Sequence, residues 1–243
     1  MASTELKKIP AIKYITLNPP LVATHPKALV LLFYLSTMVC VVLGWTYYLM
    51  VLDQPWLIYL LPLEIFGIAY AFILSSLAFV KIAVSILERK YPPAEGVFAR
   101  DGPEMRAYQA RNFFKYYAIW LTRNSTFPWI DKVAYSLFGV PVGQTVVLHE
   151  AWVDTEMITI GDYCMIGMGS IVMSHMLYPE KFMVKETTIE AHSIVGAYSM
   201  IAPGTHVKNS SVLGASSGTT IGQEFEERTM YAGTPAKKIK ELD

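Results

Sequence analysis

The chain has 243 residues, enough for one large or two small folded units. Twenty Lys plus Arg balance twenty Asp plus Glu, and this zero net charge removes the electrostatic reason to expect a nucleic acid partner. Hydrophobic residues at 53%, charged residues at 16% and a mean hydropathy of +0.35 exclude a disordered chain and argue against a free cytosolic enzyme. Two distant cysteines, Cys40 and Cys164, exclude a disulfide scaffold or a zinc ribbon.

After an N-terminal segment 1–27, residues 28–52 run 25 positions without a charge, more than enough for a helix to cross the roughly 30 Å hydrocarbon layer. Residues 56–80 form a second apolar stretch, interrupted by Pro62 and Glu64. Only Asp53, Gln54 and Pro55 intervene, so the two helices are expected to form an antiparallel transmembrane hairpin over 28–87. Lys7, Lys8, Lys13 and Lys27 precede it and Lys81, Arg89 and Lys90 follow, which by the positive-inside rule places both termini in the cytoplasm, here at the plasma membrane. The segment 88–138 is expected to be a helical connector at the bilayer surface. Its run EMRAYQARNFFKYYAIW, Glu104 to Trp120, would turn aromatic side chains down and Arg106, Arg111 and Lys115 toward lipid phosphates. A linker helix packed on its neighbours is the other reading.

From about residue 139 the rhythm changes. Aliphatic residues recur six apart at Ile160, Ile166 and Val172, and again at Ile189, Val195, Ile201, Val207 and Leu213. A small residue follows four places later at Cys164, Ser170, Ser193, Ser199, Thr205, Ser211 and Ser217, while Gly161, Gly167, Gly196 and Gly214 sit just after the aliphatic position. Neither a helix nor an alternating strand has this period. Three rungs of six make one triangular coil of 18, with the branched side chain filling the prism, the small one at the corner and glycine permitting the bend. Val142 and Leu148 keep the phase and Asp154 breaks it. Coils then begin near 142, 160, 189 and 207, and the step of 29 between 160 and 189 leaves a loop at about 176–187. The β-helix is expected over 139–222, followed by a tail 223–243, and lateral association into a three-fold ring is expected of its outer faces.

IVMSHMLYPEKF followed by TTIEAHSIVGAYSMIAPGTHV, with the tail YAGTPAKKIKEL, resembles the hexapeptide-repeat, left-handed parallel β-helix superfamily, many of whose members are CoA-dependent acyltransferases. The entry ITIGD with a His fifteen residues after Ile160 is particularly similar to the membrane-associated hexapeptide module at the end of certain peptide synthetases. The resemblance implies a CoA thioester as co-substrate and His175 as the general base; with the three-fold association, the expectation is a homotrimer that acylates a small or membrane-associated acceptor. Imidazole suits that task because it titrates near neutrality and both donates and accepts. Lys181 and Lys185 in the loop and Lys237 and Lys238 in the tail are candidates for the CoA phosphates, or solvated lysines. His175 could equally cap the loop base by hydrogen bonding.

Two other classes stay open. The superfamily includes γ-type carbonic anhydrases, in which histidines from two subunits hold zinc. Of His149, His175, His192 and His206, only His175 and His192 sit where they could converge, from different subunits. A non-catalytic trimeric membrane scaffold is the third reading.

Overall fold

The computed structural model describes residues 26–127, 129–148 and 150–242, so His25, Lys7, Lys8, Lys13 and His149 lie outside the described residues. Helix α1 (Pro26–Asp53) and helix α2 (Leu61–Lys90) form the hairpin, joined by a 3-10 segment, Pro55–Leu60. The second α-helix thus starts later than the apolar stretch. Pro62 explains this: it lacks an N–H and is tolerated in a first turn but not in a helix interior, so α2 begins around it. Glu64 falls in that first turn, where the positive end of the helix dipole favours a carboxylate. Contacts that converge toward the turn fix the antiparallel packing: Ser76 Oγ donates to Ser36 Oγ at 2.9 Å, Cys40 Sγ approaches the Ile68 carbonyl, and Tyr47 Oη donates to the Leu57 carbonyl at 2.6 Å. Of α1 only Ser36 is buried, and α2 buries one stripe, Ile73, Ser76, Leu77, Val80 and Val84.

The connector is not helical throughout. A strand, Gly96–Ala99, precedes helices α3 (Pro103–Arg123) and α4 (Ile130–Leu137). That strand pairs antiparallel with Lys181–Val184, which in turn pairs antiparallel with His175–Leu177. The excursion expected as a loop is therefore a β-hairpin, widened to three strands by the connector. Four residues, GVFA, are too few for periodicity to announce a strand.

Beyond it the chain winds as a three-sided parallel β-helix. One ladder joins Val142, Ile160, Ile189 and Val207; a second joins Ile166, Val195, Leu213 and Tyr231; a third joins Val153, Val172 and Ile201. Successive partners are 18 apart except across the hairpin, where Ile160 meets Ile189, and at Val153, which meets Val172. The rung residues fill the interior, and every small residue of the repeat from Cys164 to Ser217 is buried at a corner. The glycines just after the aliphatic position, however, do not make the bends. Positive φ falls two residues further on, at Tyr163, Gly169, His192, Tyr198, Gly204, Ser210 and Ser216. Gly161 and Gly167 are there because coils touch: an added Cβ would lie 2.6 Å from the Ala191 nitrogen and 2.5 Å from the Ala197 nitrogen, respectively.

The broken phase at Asp154 has a structural cause. Val153 takes the inward place, so the rung from Leu148 is one residue short and the next, to Ile160, is one residue long. That longer rung opens with the segment Asp154-Thr155-Glu156, and all three of its residues are buried.

Candidate active site

Helix α3 is what covers that segment. Tyr108, Arg111, Asn112, Lys115 and Tyr116 recur at the three- and four-residue spacing that puts side chains on one helical face, and this face meets the coil. Arg111 grips Glu156 through Nε at 2.6 Å and Nη2 at 2.8 Å, and Lys115 Nζ lies 3.0 Å from Glu156 and 3.0 Å from Glu88 of α2. Asn112 Oδ1 accepts the Thr155 hydroxyl, and Tyr116 donates to Asp154 Oδ1 at 3.1 Å. This corrects the surface-helix expectation. Arg111 and Lys115 are buried against a carboxylate rather than turned to lipid phosphates, because the irregular rung supplies a buried charge that only they neutralise. Arg106 remains exposed and donates to the Asp101 carbonyl.

His175 stands at the base of the hairpin, beside this contact. Its Nδ1 lies 2.5 Å from Asp154 Oδ2, which also accepts the Ser174 N–H at 2.8 Å and the His175 N–H at 3.3 Å. Asp154 is fully buried, and every group at it is a donor. Its carboxylate therefore orients the imidazole, and from this network we assign the ring proton to Nδ1. Tyr108 Oη sits 2.7 Å from the same nitrogen, its ring 4.9 Å from the imidazole and 5.0 Å from Phe182. Burial, and then the Asp154 charge, push the Tyr108 phenol well above its ordinary pKa, so it stays neutral. Burial and the same carboxylate raise Tyr116 as well. With Nδ1 occupied, Nε2 is left as the acceptor of this one-third-exposed ring.

Two cavities share Tyr108 as a wall. A groove of about 550 Å³ includes His175, Asn112, Tyr116, Phe113, Trp120 and, from the first turn of α1, Leu29. A smaller cavity of about 310 Å³ is lined by Tyr91, Phe98, Arg111, Glu156 and Phe182.

The other candidates fall elsewhere. Lys181 is exposed at the start of the second hairpin strand, and Lys185 lays its stem over Gly204, where an added Cβ would come within 2.9 Å of the lysine Cδ. Lys237 and Lys238 lie in a final strand, Lys237–Glu241, antiparallel to Thr229–Ala232. Lys238 is held by Glu226 at 2.5 Å and Glu241 at 3.1 Å, and hydrogen bonds to these two raise its pKa. His192 stacks on Tyr163 at a corner, and His206 Nε2 pairs with Glu190 at 2.6 Å. Within one chain His192 thus has a different set of partners from His175. The sequence reading missed Asp154, Tyr108 and Tyr116; the one signal for them was Asp154 standing out of phase.

Coils of 18 stacked in register, with a hairpin let out at a step of 29, decide the repeat class. The coil is a hexapeptide-repeat β-helix. The hexapeptide coil is similar in fold to a hexapeptide-repeat acetyltransferase from Vibrio cholerae, at 18% identity over 58% of this chain and 94% of that one, with a TM-score of 0.47. It is similar also to a maltose O-acetyltransferase from Clostridium difficile, at 15% identity over 56% and 88%, TM-score 0.47. A third likeness is to a variant of an N-acyltransferase from Bacillus cereus in complex with a dTDP-linked amino sugar and coenzyme A, at 17% identity over 46% and 89%, TM-score 0.35. No family model matches the chain, and no curated protein matches it.

Proposed function

We propose that the protein is a membrane-anchored acyltransferase that moves an acyl group from a CoA thioester to a hydroxyl or amine, with His175 as general base. The observation that carries this reading is the 2.5 Å contact between His175 Nδ1 and the buried Asp154, which leaves Nε2 as the free nitrogen of a histidine that lines a groove of about 550 Å³. Nε2 takes the acceptor's proton as its oxygen or nitrogen attacks the thioester carbonyl carbon. The carbon–sulfur bond then breaks, and the imidazolium returns the proton to the leaving CoA sulfur. Asp154 stabilises the transient imidazolium through the Nδ1 proton, and Tyr108 packs beside the same nitrogen with its ring against the imidazole; both are positioning residues. Lys181 and Lys185 are the loop groups offered to the CoA phosphates.

Membrane anchoring rests on two apolar helices of 28 and 30 residues whose side chains are largely bare along α1 and the first part of α2, as with Val30, Phe33 and Leu63. The prism and both chain ends are assigned to the cytoplasmic face of the plasma membrane. Trimer formation rests on the outer faces of the coil. Two adjacent faces carry exposed apolar ladders, Val147, Met165 and Ile194 on one and Trp152, Ile171 and Met200 on the next, while the third shows Thr159, Thr188 and His206. Packing one apolar face against the other of the next copy closes a three-fold ring. A zinc centre has no comparable support, since no group of three metal-ligating side chains comes together among the described residues.

Thiol release from acetyl-CoA by the full chain in detergent micelles tests the reading. His175→Ala is expected to abolish acceptor-dependent release while the particle mass stays unchanged. Release that persists in the variant contradicts the assignment.

A further inference from the structure

The His175 groove is unlike an ordinary small-molecule pocket in where it ends. Its lining is of two kinds: His175, Tyr108, Gln109, Asn112 and Tyr116 are polar, while Phe113, Tyr117, Trp120 and Leu29 are apolar or amphipathic. Leu29 belongs to the first turn of α1, and the antiparallel hairpin puts the last turn of α2 at the same level. The base is therefore held where the two apolar helices emerge, not out along the prism. Tyr and Trp favour that level of a bilayer because each has an apolar body and a polar edge, and Trp120 is 61% exposed.

Asn112 adds a second, independent observation. Its Oδ1 is committed to the Thr155 hydroxyl, which fixes the amide orientation. Its Nδ2, on a residue only 3% exposed, has no hydrogen-bond partner. The Tyr108 phenol lies near enough to feel it without a bond of good geometry. An unmet buried donor is costly, and because Asn112 belongs to the wall of this groove, a small shift of its neighbours offers that N–H to an oxygen acceptor.

We infer that the acyl acceptor is a membrane-resident amphiphile, whose hydroxyl or amine head reaches His175 past Asn112 while its apolar chain lies along Phe113, Trp120 and Leu29 toward the bilayer. This rests on the acyl-transfer reading and names the substrate class for it. Head and tail requirements are both met: a neutral polar subsite with a free N–H, and an apolar track continuous with a spanning helix. A water-soluble acceptor would use only the first.

The experiment uses the full chain in phosphatidylcholine nanodiscs with acetyl-CoA as donor, comparing dodecylamine with ethanolamine as acceptors by thiol release. Burying even a few methylenes in the groove makes kcat/KM about 100-fold higher for dodecylamine. Trp120→Ala is expected to reduce that preference about tenfold. Trp56→Ala, at the far turn of the hairpin, is expected to leave it unchanged. A preference that arises only from partitioning into the bilayer would be indifferent to Trp120→Ala, and that result, or equal rates on the two amines, overturns the inference. Release that is independent of acceptor or survives His175→Ala overturns the acyl-transfer reading instead. Binding of dansylated dodecylamine to the His175→Ala protein separates the two failures. Binding that weakens in the double variant with Trp120→Ala supports the groove without turnover, and absence of binding sinks it.

Discussion

The coils after the hairpin and the coil before it follow the same repeat and do different work. From Ile189 to Leu213 each sixth residue is a buried aliphatic, each corner is small, and the side chains that point out make no network with α3. Between Leu148 and Ile160 one rung is short and the next is long, and the displaced residues Asp154, Thr155 and Glu156 are the ones that α3 grasps. The regular coils supply rigidity, and the departure from regularity supplies charge, a fixed imidazole and a groove. A repeat is thus most informative about function where it fails.

The largest effect that divides the two regions should be on turnover. Asp154→Asn keeps the rung but removes the carboxylate that orients His175, and kcat is expected to fall about 100-fold or more with the melting temperature little changed, as read by thiol release and a thermal melt. Ile201→Ala, in the regular part, is expected to do the converse, costing about 2–5 kcal/mol of stability without a selective loss in kcat at temperatures where the variant is folded. If Ile201→Ala were the catalytic lesion and Asp154→Asn the structural one, the division of labour would be wrong.

Next in size is the clasp itself. Glu156→Ala leaves Arg111 buried without a carboxylate and Lys115 with Glu88 alone, and is expected to cost about 3–5 kcal/mol in chemical denaturation. A smaller effect concerns alkaline pH. Tyr108, Tyr116 and Tyr135 are all raised above the ordinary phenol, Tyr135 to about 12, each chiefly by burial. A raised folded-state pKa means their contribution is intact below about pH 10 and is lost as pH climbs from there toward the folded-state values. Each group steepens the fall by up to about 1.4 kcal/mol per pH unit. Tyr116→Phe should flatten the slope of stability against pH above 10, and an unchanged slope would show that this phenol is not held neutral by burial. The smallest effect belongs to the tail: Lys238→Ala, already neutralised by Glu226 and Glu241, is expected to leave the Michaelis constant for acetyl-CoA unchanged.

Much of the fold was legible because it repeats. The coil starts at 142, 160, 189 and 207, the buried corners and the step of 29 are all visible as spacings, since one physical constraint, a branched side chain pointing inward, acts at every sixth site. The two long apolar helices were visible as stretches with few or no charges. The rest depends on contacts between distant segments. Nothing local in EMRAYQARNFFKYYAIW says that Arg111 and Lys115 serve Glu156, some forty residues on. Likewise the pairing of Gly96–Ala99 with the hairpin joins four residues to a strand more than eighty positions away. His175 was singled out by resemblance, whereas its contacts with Asp154 and Tyr108 are tertiary facts. Asp154 did leave a trace, as an acid where the repeat calls for an aliphatic residue.

The most direct test is a structure of the full chain in micelles with CoA bound. The CoA sulfur is expected beside His175 Nε2, close enough that an acceptor atom about 3–3.5 Å from the thioester carbon could also reach that nitrogen. CoA seated with its sulfur away from His175, on the Thr159, Thr188 and His206 face or at the tail strand, would contradict this placement.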